Sequence, residues 1–128
     1  HRTKAGSRTF PDANAEYLVL QTIVGTWPLG APGTVPDAAA LGALADRVHE
    51  YLLKASREGK TMTSWTEPDQ AYEEALERYL RAALDPAQSP EFVADMARFV
   101  GRVQRPGLWN ALSRVALHFT APGTPDLY

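Results

Sequence analysis

Thr66-Glu67-Pro68-Asp69-Gln70-Ala71-Tyr72-Glu73-Glu74-Ala75-Leu76-Glu77-Arg78-Tyr79-Leu80-Arg81-Ala82-Ala83 is the stretch on which the fold turns. Tyr72, Ala75, Leu76, Tyr79, Leu80 and Ala83 recur every three or four residues, which places them on one face of a helix. Glu73, Glu74 and Glu77 are expected on its solvated outer side. Glu74 with Arg78 and Glu77 with Arg81 are spaced i,i+4 in the favourable order, worth a few tenths of a kcal/mol each. Thr66 is the expected cap, with Pro68 in the first turn.

The same pattern repeats on both sides. Upstream, Asp37 opens a helix with Leu41, Leu44, Val48, Tyr51, Leu52 and Ala55 on its apolar face, and Gly59 ends it. Before that, Asp12 or Asn14 caps a first helix running to about Thr26, with Tyr17, Leu20, Val24 and Trp27 on one side. Pro28 stops it, and Leu29 to Pro36 form a loop rich in Pro and Gly. Downstream, Ser89-Pro90-Glu91 combines a cap, a first-turn proline and an acid suited to the helix dipole. A fourth helix then carries Phe92, Val93, Met96, Phe99, Val100 and Val103. Pro106-Gly107 is expected to break the chain before a fifth helix with Leu108, Trp109, Leu112, Val115, Ala116 and Phe119. No segment alternates with period two. The fold expected is all-α: a bundle of about five amphipathic helices over residues 12–119, preceded by an aperiodic arm (1–11) and followed by a tail (120–128) that leads into a strand. The whole, 1–128, reads as a single helical module with Leu44 and Leu76 in its core.

Composition narrows the function. The 128 residues carry a formal net charge of −2, with both signs dispersed, so nothing points to nucleic acid or to an anionic membrane surface. There are no cysteines, which removes thiol catalysis, disulfides and thiolate metal sites together. No apolar run approaches the roughly 20 residues of a membrane span. A soluble, cytoplasmic protein is expected.

Local chemistry is sparse. His1, His49 and His118 lie far apart, without zinc spacing, and no cofactor motif is present, so no metal and no cofactor are expected. His49 is expected to be exposed and His118 to act at a helix C-terminus. One loop stands apart: Lys60-Thr61-Met62-Thr63-Ser64-Trp65-Thr66 sets a cation, hydroxyls and an indole between two helices. Carbohydrate sites use that mixture, because an indole face packs on sugar C–H groups while hydroxyls and Lys satisfy sugar oxygens. A purely structural reading of the same residues has Trp65 as a hydrophobic staple before the third helix. The residues alone leave both open.

Three stretches carry a resemblance. They are Pro11 to Trp27-Pro28; Gly59-Lys60-Thr61-Met62-Thr63-Ser64-Trp65-Thr66-Glu67-Pro68 followed by Ala71-Tyr72-Glu73-Glu74; and Asn110-Ala111-Leu112-Ser113-Arg114 with the tail Thr120 to Tyr128. In this order and spacing they resemble the maltooligosyltrehalose synthases of the α-amylase superfamily. The resemblance implies a (β/α)₈-barrel parent with a helical insertion. That parent rearranges the reducing-end α-1,4 linkage of a maltooligosaccharide into the α,α-1,1 linkage of trehalose, as an isomerase without a cofactor. None of the family's three catalytic carboxylates has a counterpart here, and Arg2 stands where His1-Arg2-Thr3-Lys4 would need an Asp. This chain by itself is therefore expected to hold no catalytic residue and to be inactive. The resemblance assigns sugar binding to Lys60, Ser64 and Trp65. Met62, Asp69 and Leu20 depart from the His, Asn and Tyr expected at their positions.

The chain opens on His1 and ends on Leu127 and Tyr128, which gives the expectation of an internal piece of the larger enzyme. Its partners would be the rest of the barrel and the sugar. Without them, Trp27, Trp109, Leu127 and Tyr128 are expected to expose apolar surface and drive self-association.

Overall fold

Among the described residues four helices rather than five form from this pattern, and a short hairpin precedes them. The computed structural model describes residues 1–5 and 8–123, with side chains for residues 1, 2 and 10–123. The order is β1 (Thr3–Ala5), β2 (Arg8–Phe10), α1 (Ala13–Thr26), α2 (Ala38–Gly59), α3 (Gln70–Leu84) and α4 (Pro90–Thr120).

The arm is thus partly ordered. β1 and β2 pair antiparallel with Thr3 opposite Phe10 and Ala5 opposite Arg8. Three residues per strand are too few to display a period, which is why alternation gave no sign of them. The hairpin is tied to the bundle by the Phe10 ring, edge-on to Tyr72 with centroids 5.8 Å apart. Arg2 adds an ion pair with Glu16, which also accepts a hydrogen bond from the Tyr79 hydroxyl at 2.7 Å.

Three helices start on an aspartate whose Oδ1 accepts an orphan N–H: Asp12 from Ala15 at 2.9 Å, Asp37 from Ala40 at 2.8 Å and Asp69 from Tyr72 at 3.0 Å. Each such cap contributes about 1 kcal/mol. α3 therefore begins three residues later than expected, capped by Asp69 rather than Thr66, and Pro68 precedes it. The cause lies in the loop, where the Thr63 hydroxyl accepts the Asp69 N–H at 3.0 Å and holds 64–68 in a turn. Ser89 occupies the cap position of α4 without capping it, since its hydroxyl donates to the Ala82 carbonyl at 2.8 Å.

The core is assembled from Val19, Ile23 and Trp27 of α1 and its end, Leu41, Leu44, Val48 and Leu52 of α2, Leu76 and Leu80 of α3, and Val93 and Val100 of α4. Leu44 and Leu76 are buried as expected. Tyr17 and Tyr51 are exposed instead, and the α1 stripe is shifted onto Val19 and Ile23. α1 is apolar almost all round from Tyr17 to Val24, so periodicity does not select a face there. Trp27, expected to lack partners, is buried.

The expected break at Pro106-Gly107 does not occur, and α4 runs through it for 31 residues, about 46 Å at 1.5 Å per residue. An interior proline costs about 3 kcal/mol. Stopping and renucleating costs about 4 kcal/mol for a nucleation constant near 10⁻³, and no Ser, Thr, Asp or Asn stands at residues 105–109 to cap a new start. Continuation is the less costly outcome. Beyond Gln104 the helix leaves the bundle, and its residues are exposed apart from a half-buried His118. The strand expected in the tail falls on 124–128, outside the described residues.

The loop after α1 is fixed by close approach. Thr34 N–H donates to the Ala31 carbonyl at 3.1 Å, with Gly33 at φ 78°. This is a turn that needs Pro and Gly at its centre. It presses on α4 so closely that a Cβ on Gly101 would lie 2.5 Å from the Gly33 nitrogen.

Candidate functional site: the loop between α2 and α3

The loop singled out by its composition is built around an ion pair that composition did not flag. Arg57, in the last turn of α2, donates through Nε and Nη2 to the two oxygens of Glu73 in α3, at 2.8 and 2.7 Å. The buried Thr63 hydroxyl donates to Glu73 Oε1 at 2.6 Å. Glu73 is 13% exposed, not on a solvated face as expected. Its position beside Tyr72 and Leu76 at the edge of the apolar arc was the available signal. The Arg57 hydrogen bonds hold its carboxyl below the usual carboxylate range, against the opposing effect of burial, with the Thr63 hydroxyl lowering it further. The Arg57 guanidinium is raised in turn, chiefly by the same bonds. A carboxylate held ionised, with both oxygens engaged, is unsuited to act as a general acid.

Trp65 is 57% exposed, so it does not staple α3. Its ring lies against the Arg57 guanidinium, 5.0 Å from centroid to Cζ. Such a contact orients an indole while leaving much of it open to solvent. Ser64 is turned inward to the loop. Its N–H donates to the Glu67 carbonyl at 3.2 Å and its hydroxyl accepts the Glu67 N–H at 2.9 Å. Lys60 is exposed at the end of α2, in the left-handed region at φ 54°. Holding a residue other than glycine there costs about 1–2 kcal/mol. Thus Arg57, Thr63 and Glu73 organise the loop, Trp65 stands on them, and Lys60 and Ser64 flank it. Met62, half-buried, packs against the core. Asp69 is accounted for as the α3 cap.

The histidines stay apart. His1 Nε2 meets the Ser89 hydroxyl. His49, half-buried rather than exposed, has Nε2 3.9 Å from Glu77. His118 stacks edge-on against Phe119 near the end of α4, with Nδ1 buried and unpartnered among the described residues. No helix among the described residues is long and apolar enough to cross a membrane.

No family model matches the chain, and no solved structure matches it. Over 118 residues, 92% of its length, it is 30% identical to a Mycobacterium tuberculosis protein named "Putative maltooligosyl trehalose synthase", in strain CDC 1551 / Oshkosh and in strain ATCC 25618 / H37Rv alike. It spans 14% of the length of these curated relatives. The chain is therefore related, along nearly all of its length, to a small part of a much longer protein of that name.

Proposed function

We propose that this chain is a non-catalytic helical segment of a maltooligosyltrehalose synthase. Such an enzyme turns the reducing-end α-1,4 linkage of a maltooligosaccharide into the α,α-1,1 linkage of trehalose by intramolecular transglucosylation, in the cytoplasm and without a cofactor. The supporting observation is the relation to part of a protein of that name along 92% of the chain. In this reading the α2–α3 loop faces the sugar cleft. Trp65 offers its open indole to the C–H face of a glucose ring, Lys60 reaches sugar oxygens, and Ser64 shapes the turn that presents them. The rest of the barrel enzyme supplies the nucleophile and the acid/base.

Retaining chemistry needs two carboxylates about 5 Å apart across the sugar, one of them able to give up a proton. Glu73, whose carboxylate organises the loop under Trp65, is committed to Arg57 and Thr63. The purified chain with maltopentaose should therefore yield neither trehalose nor shorter sugars above a protein-free control. Trehalose formation would refute the non-catalytic role. In a full-length synthase carrying this segment, Trp65→Ala should raise KM or lower kcat with little loss of melting temperature. A purely thermal effect would remove the loop from the cleft. The alternative reading is a free-standing helical interaction module, favoured by the exposed apolar face of α4 beyond Pro106. An unaffected synthase together with tight protein binding would select it.

A further inference from the structure

We infer that the pocket between the start of α1, the end of α2 and the first residues of the α2–α3 loop receives one glucosyl unit of a maltooligosaccharide. The inference rests on the proposed role of this chain in a sugar enzyme, and it names a second point of contact beside the Trp65 platform.

The pocket has a volume of about 250 Å³, just below the roughly 300–1,000 Å³ of sites for drug-sized ligands. That is room for one sugar ring rather than for several. Its floor is apolar, formed by Leu18 and Met62, both packed against the core, and by the buried Tyr72. Its rim is polar and open, with Asp12, Asn14 and Thr61 all exposed. Asp12 uses Oδ1 to cap α1, which leaves Oδ2 to accept. The Asn14 amide and the Thr61 hydroxyl have no hydrogen-bond partner among the described residues. A carboxylate oxygen, an amide that both donates and accepts, and a hydroxyl are groups that pair with the hydroxyls of a sugar, while its C–H face rests on the floor. Gly59 also lines the pocket, and nothing lies within 4 Å of where its Cβ would be, so a ring can come close to the α2 backbone.

Other ligand chemistries fit less well. No Lys, Arg or His lines the pocket, so an anion would meet only the charge of Asp12. One carboxylate is not a metal site, and no group of His, Asp and Glu able to hold a metal ion occurs among the described residues. Burial raises the Tyr72 phenol above its ordinary value, against the opposing effect of the Ser56 hydroxyl, so it stays neutral. A neutral ligand dense in hydroxyls, with an apolar face, is what remains.

Position agrees with this choice. All but two of the lining residues belong to the stretches 11–28, 59–68 and 71–74 that resemble the synthases, and these stretches, far apart in sequence, meet here. Thr61 and Trp65 are four residues apart, so their Cα atoms lie within about 14 Å of each other. One short oligosaccharide can therefore occupy the pocket and reach the indole.

Titrating the ¹⁵N-labelled 128-residue chain with maltose should give saturable shifts of the Asn14 side-chain amide and of the Gly59 and Thr61 backbone amides, half complete at millimolar sugar. Glycerol at equal concentration should give no saturable shift. Asn14→Ala should weaken maltose by about threefold to tenfold through the lost hydrogen bonds. Gly59→Leu, which fills the pocket, should abolish these shifts. Both positions are exposed and helical, and both replacements favour the helix, so far-UV helicity should be retained. Shifts at Asn14 and Gly59 with a silent Trp65 indole would uphold the pocket and remove the platform. Shifts confined to the Trp65 indole would overturn the pocket and leave the platform standing. An unchanged spectrum would overturn both. Undiminished maltose binding by Gly59→Leu, or equal saturation by glycerol, would overturn the glucosyl site.

Discussion

Glu73 shows how a single side chain can change character between sequence and fold. By residue type and neighbours it belongs with Glu74 and Glu77 on a polar face. In the folded chain it is the shared acceptor of Arg57 and Thr63, and the loop bearing Trp65 depends on it. Pairing of this kind joins residues sixteen apart, so helical periodicity, which compares positions three and four apart, carries no trace of it. Its carboxyl is lowered in the folded state, chiefly by the Arg57 hydrogen bonds. The sign follows by linkage: the unfolded chain binds the proton more readily, so acid favours unfolding. The contribution is complete above the ordinary value of 4.5 and disappears as pH falls through the lower, folded value. Glu73→Gln should therefore destabilise the chain at neutral pH and flatten its loss of stability below about pH 4.5. Urea titrations of both proteins from pH 7 to pH 3 measure this. Parallel curves would mean that the pair contributes nothing.

At the scale of elements, α2 and α3 were legible because their apolar arcs are narrow and their charged residues plentiful. Both expected i,i+4 pairs of α3 are made, with Arg81 reaching Asp46 of α2 as well as Glu77. α4 was legible in its halves and illegible as a whole. Gly and Pro report a local cost, whereas helix continuation weighs that cost against nucleation, which no single residue displays. The proline still leaves its mark, since Pro106 has no N–H for the Arg102 carbonyl four residues earlier. Pro106→Ala should restore that bond and favour the helix locally by up to about 3 kcal/mol. Because the segment lies outside the core, the gain should appear as slower amide exchange over residues 102–118, with the cooperative melting temperature shifted little. A large rise in melting temperature would mean that the distal half packs on its own bundle.

For the whole molecule, the α2–α3 loop was singled out by its residue types, and the exposure of Trp65 could not be read there, because exposure is a property of the assembled bundle. The same holds for closure of the bundle between its first and last helices. α1 and α4 are far apart in sequence, and the turn at Ala31-Pro32-Gly33-Thr34 bridges them by resting on Gly101. This close approach is invisible to composition, which presents Gly101 as one weak point in a helix. Elsewhere, replacing an unhindered helical glycine by alanine stabilises by up to about 1 kcal/mol, and Gly42, with open space around it, is such a position. At Gly101 the methyl group would meet backbone atoms of Pro32 and Gly33 at 3.1 and 2.5 Å, and backbone held in a turn cannot swing aside as a flexible side chain can. Gly101→Ala should therefore lose stability by about 1–3 kcal/mol through overpacking, despite its better helix propensity, while Gly42→Ala gains. Denaturant midpoints of the two variants against the parent chain separate the effects. If Gly101→Ala were the more stable protein, the loop would not be seated on α4, and the link between the two ends of the bundle would have to be sought elsewhere.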